Sequence, residues 1–249
     1  MPFNMKENIK KTWEDLYSKT DFEHMVKRID YSLKIKKDIF QYYPWLDILR
    51  RNNLKIDTCL EVGSGTGAYS LILKKLGFTK KVYLLDWSDE SLNMAKKLFK
   101  KYNEKAIFVC GDALNLPFKD KSFNLTISGG LIEHFNNLNM QRIIEEKKRV
   151  SNYVLTQAPI STPPYWIMRT LITIAKQGWP FGYEKPLTRS KLEDIYIKAG
   201  LKILDEDYHD VLTAVKFTYG VKKGKKLNFK KNWLNKCLKN EMVLLGLAD

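Results

Sequence analysis

The feature that most constrains this chain is a short apolar stretch, residues 56–62, that runs directly into three glycines at alternate positions, Gly63, Gly65 and Gly67. The stretch contains β-branched residues, which predicts a strand, and residues 70–76 repeat apolar side chains at helical spacing. Glycines at such a turn allow positive φ and let a ligand approach the main chain without meeting a Cβ. The following helix directs unpaired N–H groups at the turn. We therefore predict a strand, a turn and a helix that together bind a nucleotide-type ligand.

Two kinds of cofactor fit this turn. Gly63, Gly65 and Ala68 satisfy the loose G-x-G-x-x-G/A fingerprint of dinucleotide sites, and Asp86 follows about 20 residues later, as that fingerprint expects. Glu61, however, places a carboxylate at the strand tip, where it would repel a pyrophosphate and attract a cation. S-adenosylmethionine carries both an amino group and a sulfonium, so it suits this turn better than a dinucleotide.

Two segments of the chain carry a family resemblance. Residues 61–67, Glu-Val-Gly-Ser-Gly-Thr-Gly, resemble the first motif of the class I, seven-stranded, Rossmann-like S-adenosylmethionine-dependent methyltransferases. Residues 111–124, which contain Gly-Asp-Ala, then Leu-Pro-Phe, then Ser-Phe-Asn, are similar to a segment of the type 11 subgroup, whose members act mostly on small molecules. The resemblance covers about residues 56–220. It implies that S-adenosylmethionine is the cofactor.

The resemblance implies a role for each cofactor-binding position. Asp86, at the tip of the second predicted strand, would accept hydrogen bonds from both ribose hydroxyls, and Trp87 would pack on the adenine. Asp112 would take the adenine amino group, while the Ala113 N–H would meet a ring nitrogen. An alternative for Asp86 is to cap the next helix, although Ser88 is the better capping residue. The predicted cofactor-binding residues are Glu61, Gly63, Gly65, Gly67, Asp86, Trp87, Asp112, Ala113 and Ser128.

We expect no metal in this site. Asn124 stands where the family usually has Asp, which argues against a metal at that point and leaves the cofactor contacts unchanged. The three cysteines, Cys59, Cys110 and Cys237, are far apart and lack the spacing of a zinc site. We predict that they are small buried hydrophobic residues and not disulfides.

The predicted acceptor site lies beyond the fourth strand and under a cap and a lid. His134 matches a histidine frequent in the family, where it could deprotonate an acceptor hydroxyl or simply brace its loop. Tyr17, one helical turn from Trp13, is a tentative second catalytic residue; both aromatic residues could equally be packing residues. Thr-Pro-Pro-Tyr at 162–165 resembles a signature of amino-methylating nucleic-acid enzymes, but it follows the wrong strand. The predicted lid aromatics are Tyr165, Trp166, Trp179 and Phe181.

The predicted fold is α/β: a doubly wound, seven-stranded, mostly parallel sheet with an antiparallel last strand, a helical N-terminal cap and a lid insertion after strand 5. We expect residues 201–205 and 211–217 to form the closing antiparallel pair. The predicted regions are a cap at 1–55, a methyltransferase core at 56–221 with its lid at about 158–187, and a basic C-terminal helix at 222–249.

The chain has a formal net charge of +15, and residues 222–249 hold eight lysines against two acidic residues. A basic protein attracts anionic partners such as RNA or acidic lipid, although lysine-rich surfaces also arise as solvated faces. The C-terminal helix could contact a membrane surface peripherally or dock on the domain. No stretch approaches the 18 or so apolar residues of a membrane span, and the N-terminus lacks a leader pattern, so we expect a cytoplasmic protein.

These observations predict a methyltransferase that acts on a small molecule with an apolar or aromatic body. An RNA methyltransferase, favoured by the charge and by Thr-Pro-Pro-Tyr, is one alternative. A non-catalytic, S-adenosylmethionine-binding regulatory protein is another, and a nicotinamide dehydrogenase is a more distant one.

Overall fold

The computed structural model describes residues 3–34, 44–210 and 239–248. Its helices are α1 Phe3–Ser18, α2 Phe22–Lys34, α3 Pro44–Arg51, α4 Ala68–Lys75, α5 Asp89–Lys101, α6 Asn137–Val150, α7 Pro163–Ala175 and α8 Arg189–Lys198, with a 3-10 turn at Ile132–His134. Its strands are β1 Ile56–Val62, β2 Thr79–Asp86, β3 Ile107–Cys110, β4 Phe123–Gly129, β5 Ser151–Pro159, β6 Leu201–Asp210 and β7 Lys239–Ala248. None of the helices in these ranges is long and apolar enough to cross a membrane.

All seven strands form one sheet in the order β3-β2-β1-β4-β5-β7-β6. Neighbouring strands are parallel except at β7, which runs antiparallel to both β5 and β6. The doubly wound, mostly parallel sheet with an antiparallel last strand is therefore confirmed. Strand order reverses between β1 and β4, and in open α/β sheets ligands bind outside the carboxyl ends of the strands at such a point.

Helices cover both faces of the sheet. On one face, α3, α4 and α5 bury a cluster that includes Trp45, Ile72 and Phe99. On the other face, α6 and α8 bury a cluster that includes Ile143 and Tyr196. Because side chains alternate along a strand, successive residues of β1 feed the two clusters in turn. The rigid sheet thus holds its carboxyl edge, where the predicted site residues lie, in a fixed geometry.

The predicted C-terminal helix is wrong for residues 239–248, which form β7 between β5 and β6. The run Met242, Val243, Leu244 and Leu245 is completely buried on both faces of the sheet. A short continuous apolar run fits a doubly buried strand and a buried helix equally well, so periodicity could not separate the two. The predicted strand at 211–217 and the lysine-rich residues 222–238 lie outside the described residues.

Among the described residues of the predicted cap, those of α1 and α2 lie over the cavity. Helix α3 instead packs on the sheet, with Trp45 in the core. Its last residue, Arg51, donates hydrogen bonds to Asp205 at 2.5 Å and to Asp207 at 2.7 Å, both on β6. These bonds fix α3 to the far edge of the sheet, away from the cavity.

The cysteine prediction is confirmed for Cys59, which is buried in β1. Cys110 is exposed, because it ends β3, which is the edge strand of the sheet. Cys237 lies outside the described residues.

Candidate active site

A cavity of about 550 Å³ lies at the carboxyl edge of the sheet, over the point where strand order reverses. Its floor is formed by the turns that follow β1, β2, β3 and β4, and its roof by α1 and α2. At the far end it reaches the end of β5 and the start of β7. This volume lies within the range of about 300–1,000 Å³ that is typical of small-molecule sites.

Glu61 is a buried carboxylate at the tip of β1. Its Oε2 accepts a hydrogen bond from the Ser70 N–H, in the first turn of α4, at 3.0 Å. Burial raises the pKa of Glu61 to about 7, the Ser70 hydrogen bond opposes that shift, and the nearby Asp86 adds to it. Among the described residues no cationic side chain forms an ion pair with Glu61. A cationic ligand group in the cavity would therefore find an unpaired acidic partner here.

The glycine turn lies beneath Tyr17. Gly65 has a φ of +51°, and a Cβ built on it would lie 2.1 Å from the Tyr17 hydroxyl, so any other residue here would strain the backbone and displace the Tyr17 ring. Burial, with Asp86 and Glu61 close by, raises the pKa of Tyr17. The phenol therefore stays protonated, and it can donate a hydrogen bond but cannot act as a base near neutral pH. Of the other two glycines, Gly63 lines the cavity and Gly67 is the N-cap of α4.

Asp86 links the tip of β2 to the glycine turn. Its Oδ2 accepts a hydrogen bond from the Gly65 N–H at 2.8 Å, and its Oδ1 accepts one from the Ser88 N–H at 3.0 Å. Burial raises the pKa of Asp86, and these hydrogen bonds partly counter the shift. Ser88, as expected, caps α5 by accepting from the Ser91 N–H at 3.2 Å. Asp86 and Trp87 both line the cavity.

The turn after β3 supplies the remaining floor. Asp112 lines the cavity, and its Oδ1 accepts a hydrogen bond from the Leu114 N–H at 2.9 Å, which fixes the carboxylate within its own turn. Ala113 lies beside it on the cavity wall. The structure thus brings the predicted residues at the ends of β1, β2 and β3 together around one cavity.

Ser128 lies apart from this cavity wall. Its hydroxyl accepts a hydrogen bond at 2.7 Å from the buried amino group of Lys147, which also donates to the Leu155 carbonyl and the Thr156 hydroxyl, both at 2.9 Å. Ser128 points into this network because it faces α6. Sequence position at a strand end indicates the edge of the sheet but not the face to which a side chain points.

His134 lies on the cavity wall within an aromatic cluster. Its Nδ1 is 2.5 Å from the Tyr183 carbonyl oxygen, and because a carbonyl only accepts, Nδ1 carries the hydrogen. Burial lowers the pKa of His134, so the ring is neutral at neutral pH. The Trp13 ring lies 5.2 Å from the His134 ring, edge to face, and 6.1 Å from the Phe181 ring, nearly parallel. These three side chains form one aromatic wall of the cavity.

Most of the predicted aromatic lid lies elsewhere. Phe181 lines the cavity, but Tyr165, Trp166 and Trp179 do not. The Tyr165 hydroxyl and the Trp179 ring N–H both donate to the Glu184 carboxylate, at 2.5 and 3.1 Å, which turns them away from the cavity. A half-buried acceptor, Glu184, which the sequence pattern did not reveal, therefore sets the direction of these rings.

The Thr-Pro-Pro-Tyr segment forms the start of α7. Thr162 is the N-cap, and its hydroxyl accepts from the Tyr165 N–H at 3.4 Å. Pro163 occupies the first helical position, which proline favours. The segment has a capping function here and does not line the cavity.

Gln157 and Glu241 are among the cavity residues that the sequence analysis missed. Gln157, near the end of β5, donates its amide N–H to the carboxylate of Glu241 on β7. Burial raises the pKa of Glu241, and the hydrogen bond from Gln157 opposes this. Within the part of the chain that the structure describes, the buried Gln157 Oε1 has no hydrogen-bond partner. The strand-end position of Gln157 could have revealed it; Glu241 could not be found without β7.

Asn124 lies at the opposite edge of the sheet from the cavity. Its Oδ1 accepts hydrogen bonds from the Asp57 N–H at 3.0 Å and the Thr58 N–H at 2.9 Å. These hydrogen bonds join β4 to β1, so Asn124 has a structural role.

A seven-stranded sheet of this order, with a glycine turn after β1 and acidic residues near the ends of β1, β2 and β3, is the arrangement that the resemblance to the S-adenosylmethionine-dependent methyltransferases implies. Residues 59–152 match a family described as a methyltransferase domain. This segment of the chain is therefore a methyltransferase domain, in agreement with the resemblance in the sequence.

Similar proteins come from several organisms. An uncharacterised protein of Methanocaldococcus jannaschii is 28% identical over 141 residues, and a demethylmenaquinone methyltransferase of Thermotoga maritima is 34% identical over 93 residues. These matches cover 55% and 36% of this chain, and the chain spans only 58% and 37% of the two relatives. The structure of a magnesium protoporphyrin IX methyltransferase from Synechocystis, with bound SAH, superposes with a TM-score of 0.56 at 13% identity and covers 96% of this chain and 93% of its own. That likeness concerns the fold.

Proposed function

We propose that this chain binds S-adenosylmethionine in the cavity and transfers its methyl group to a small molecule with an apolar or aromatic body. The observation that carries the proposal is Glu61, a buried carboxylate beside the glycine turn for which the described residues provide no cationic partner. A cationic ligand group would compensate the burial of this charge. When bound, S-adenosylmethionine would supply a methyl group activated by a sulfonium.

Different residues of the cavity would bind the amino group, the ribose and the adenine of the cofactor. Glu61 would hold the amino group, and the protonated Tyr17 hydroxyl, which lies over Gly65, would donate a hydrogen bond to the same end of the cofactor. Asp86, which two main-chain N–H groups hold in place, would accept from the ribose. Trp87, Asp112 and Ala113 would surround the adenine, and all three residues line the cavity.

The other end of the cavity would take the acceptor. The wall of Trp13, His134 and Phe181 suits a flat apolar body, since aromatic rings pack in offset or edge-to-face arrangements. Gln157 and Glu241 offer acceptors for one hydrogen-bond donor of that molecule. Two similar proteins are named for demethylmenaquinone and magnesium protoporphyrin IX, which supports a small-molecule acceptor.

Methyl transfer from a sulfonium is an in-line displacement, so the chain must chiefly orient the two reactants and exclude water. Orientation of this kind lowers barriers by several kcal/mol. His134 would contribute through its hydrogen bond to the Tyr183 carbonyl, which holds residues 181–183 beside the acceptor end of the cavity. A neutral His134 could also accept a proton from an acceptor hydroxyl, and this base role is the second candidate for the residue.

The test is transfer of a labelled methyl group from S-adenosylmethionine to fractionated metabolite extracts. We expect a labelled small-molecule product that is lost when Asp86 is replaced by alanine. Thermal unfolding with each cofactor completes the test. A higher melting temperature with S-adenosylmethionine, but no labelled product in any fraction, would favour the regulatory alternative. A higher melting temperature with NAD and not with S-adenosylmethionine would contradict the proposal altogether.

An RNA methyltransferase is the second candidate function, and the net charge of +15 is what favours it. Thr-Pro-Pro-Tyr no longer supports it, since that segment caps α7 outside the cavity. RNA as the acceptor would appear as binding that weakens steeply with salt, together with transfer of label to RNA.

A further inference from the structure

Helix α7 presents a stripe of large apolar side chains to solvent. The exposed residues recur at helical spacing on one face: Trp166 at 46%, Ile167 and Leu171 at 62% each, and Ile174 at 71%. Apolar residues at this spacing normally face a core. Here the inward face is formed by Tyr165 and its bond to Glu184, and the apolar stripe lies outside. An exposed patch of this kind indicates a surface that contacts another body.

The outward face of α7 carries no charge. The helix has a single charged residue, Arg169, and this side chain is held on the inner side. Its guanidinium donates to the Tyr165 hydroxyl at 2.8 Å and to the Glu184 carbonyl at 3.1 Å, and it lies 4.6 Å from the centre of the Trp179 ring. The guanidinium also lies 5.6 Å from the centre of the Trp166 ring, at the border of the exposed face. The side chains of Ile167, Leu171 and Ile174 can therefore enter an apolar environment without burying an ion.

Lysines lie near both ends of α7. Lys176 follows the helix directly, Lys185 lies in the next loop, and both are exposed. At the other end of α7, the Thr162 hydroxyl donates to the carbonyl of a third lysine, Lys239, at 2.6 Å.

We propose that the exposed face of α7 docks on an anionic lipid surface, with Trp166, Ile167, Leu171 and Ile174 inserted at the level of the headgroups. An interfacial helix combines an apolar face with attraction between nearby basic residues and acidic lipids, and α7 with its flanking lysines has both. A second copy of the chain fits less well as the occupant. Two copies joined through this face would offer the nearby lysines no acidic partner, because α7 contains no acidic residue.

The test is co-sedimentation of the full chain with vesicles of phosphatidylcholine and phosphatidylserine, compared with vesicles of phosphatidylcholine alone. We expect binding to the mixed vesicles that weakens with added salt, and much weaker binding to the neutral ones. The double variant Ile167→Glu and Leu171→Glu should reduce binding to the mixed vesicles by about tenfold or more.

A matched control carries the same substitutions elsewhere. Leu138 on α6 and Ile197 on α8 are also exposed, at 82% and 64%, and lie outside the proposed face. The variant Leu138→Glu and Ile197→Glu should bind the mixed vesicles as the unchanged chain does. Both variants should keep the melting temperature, because all four side chains are already in water.

Three results would overturn the proposal. The first is the absence of binding to mixed vesicles, and the second is equal loss of binding in the two double variants. The third is a concentration-dependent dimer that only the α7 variant abolishes, which would identify a second copy as the occupant. All the readouts concern binding and association, so they do not depend on methyl transfer.

Discussion

The Tyr17 hydroxyl lies so close to Gly65 that a Cβ built on the glycine would be only 2.1 Å from it. This contact joins the roof of the cavity, α1, to the turn that follows β1. It explains why the turn needs glycine at this position: a side chain here would displace the roof. The roof and the glycine turn therefore act together as one binding surface.

Replacing Gly65 with alanine should destabilise the chain through both strain and collision. Positive φ costs an alanine about 1 kcal/mol, and the Tyr17 contact adds to this. Gly77→Ala is the matched control, because Gly77 has a φ of +77° and a Cβ there meets nothing within 4 Å. Chemical denaturation should give a larger loss of unfolding free energy for Gly65→Ala than for Gly77→Ala. Adding Tyr17→Phe should recover part of that difference, and equal losses in the two alanine variants would contradict the contact.

Glu61 should give the ligand-free protein a pH-dependent stability. Its pKa is about 7 in the folded chain against 4.5 as the ordinary value, so the folded state binds the proton more tightly than the unfolded state does. Stability should therefore fall as pH rises from about 4.5 to about 7, by up to about 3 kcal/mol, and change no further above that range. Glu61→Gln should remove this dependence in urea unfolding. If the unfolding free energy changed with pH equally in the wild type and in Glu61→Gln, Glu61 would not titrate in this pH range.

The same titration predicts the pH dependence of cofactor affinity. S-adenosylmethionine brings a cation, so it should bind the ionised form of Glu61. Its affinity should rise between about pH 5 and pH 7, by no more than about tenfold per pH unit, and then level off. Calorimetry at several pH values measures this, and the Glu61→Gln variant should bind more weakly with little pH dependence. An affinity that falls over this range would be inconsistent with a cation beside Glu61.

His134→Ala should loosen the loop that carries Tyr183, because the bond to the Tyr183 carbonyl is lost. Trypsin should then cleave after Lys176 several-fold faster, while S-adenosylmethionine affinity stays within a few fold. If His134 were only a base, cleavage would stay unchanged. Once an acceptor is known, the base role would instead lower kcat and alter its pH profile.

The sequence was sufficient to predict those parts of the fold and of the site that are determined by residues close together in the chain. The strand, glycine turn and helix around Gly63, and the acid at the tip of β2, follow from patterns a few residues long. The sequence could not reveal β7, because its apolar run becomes a strand only when it is inserted between β5 and β6, and Glu241 was missed with it. The direction of Tyr165 and Trp179 depends on Glu184, a partner that no periodicity indicates.

The most direct test of the central claim is calorimetric titration of S-adenosylmethionine into the chain and into two variants. Asp86→Ala should weaken binding by about 1–3 kcal/mol, since the ribose hydroxyls lose their acceptor. Asp89→Ala removes the same charge at an exposed position that does not line the cavity, so it should change the affinity by less than about twofold. An unchanged affinity in Asp86→Ala, or an equal loss in both variants, would contradict the assignment of this cavity to S-adenosylmethionine.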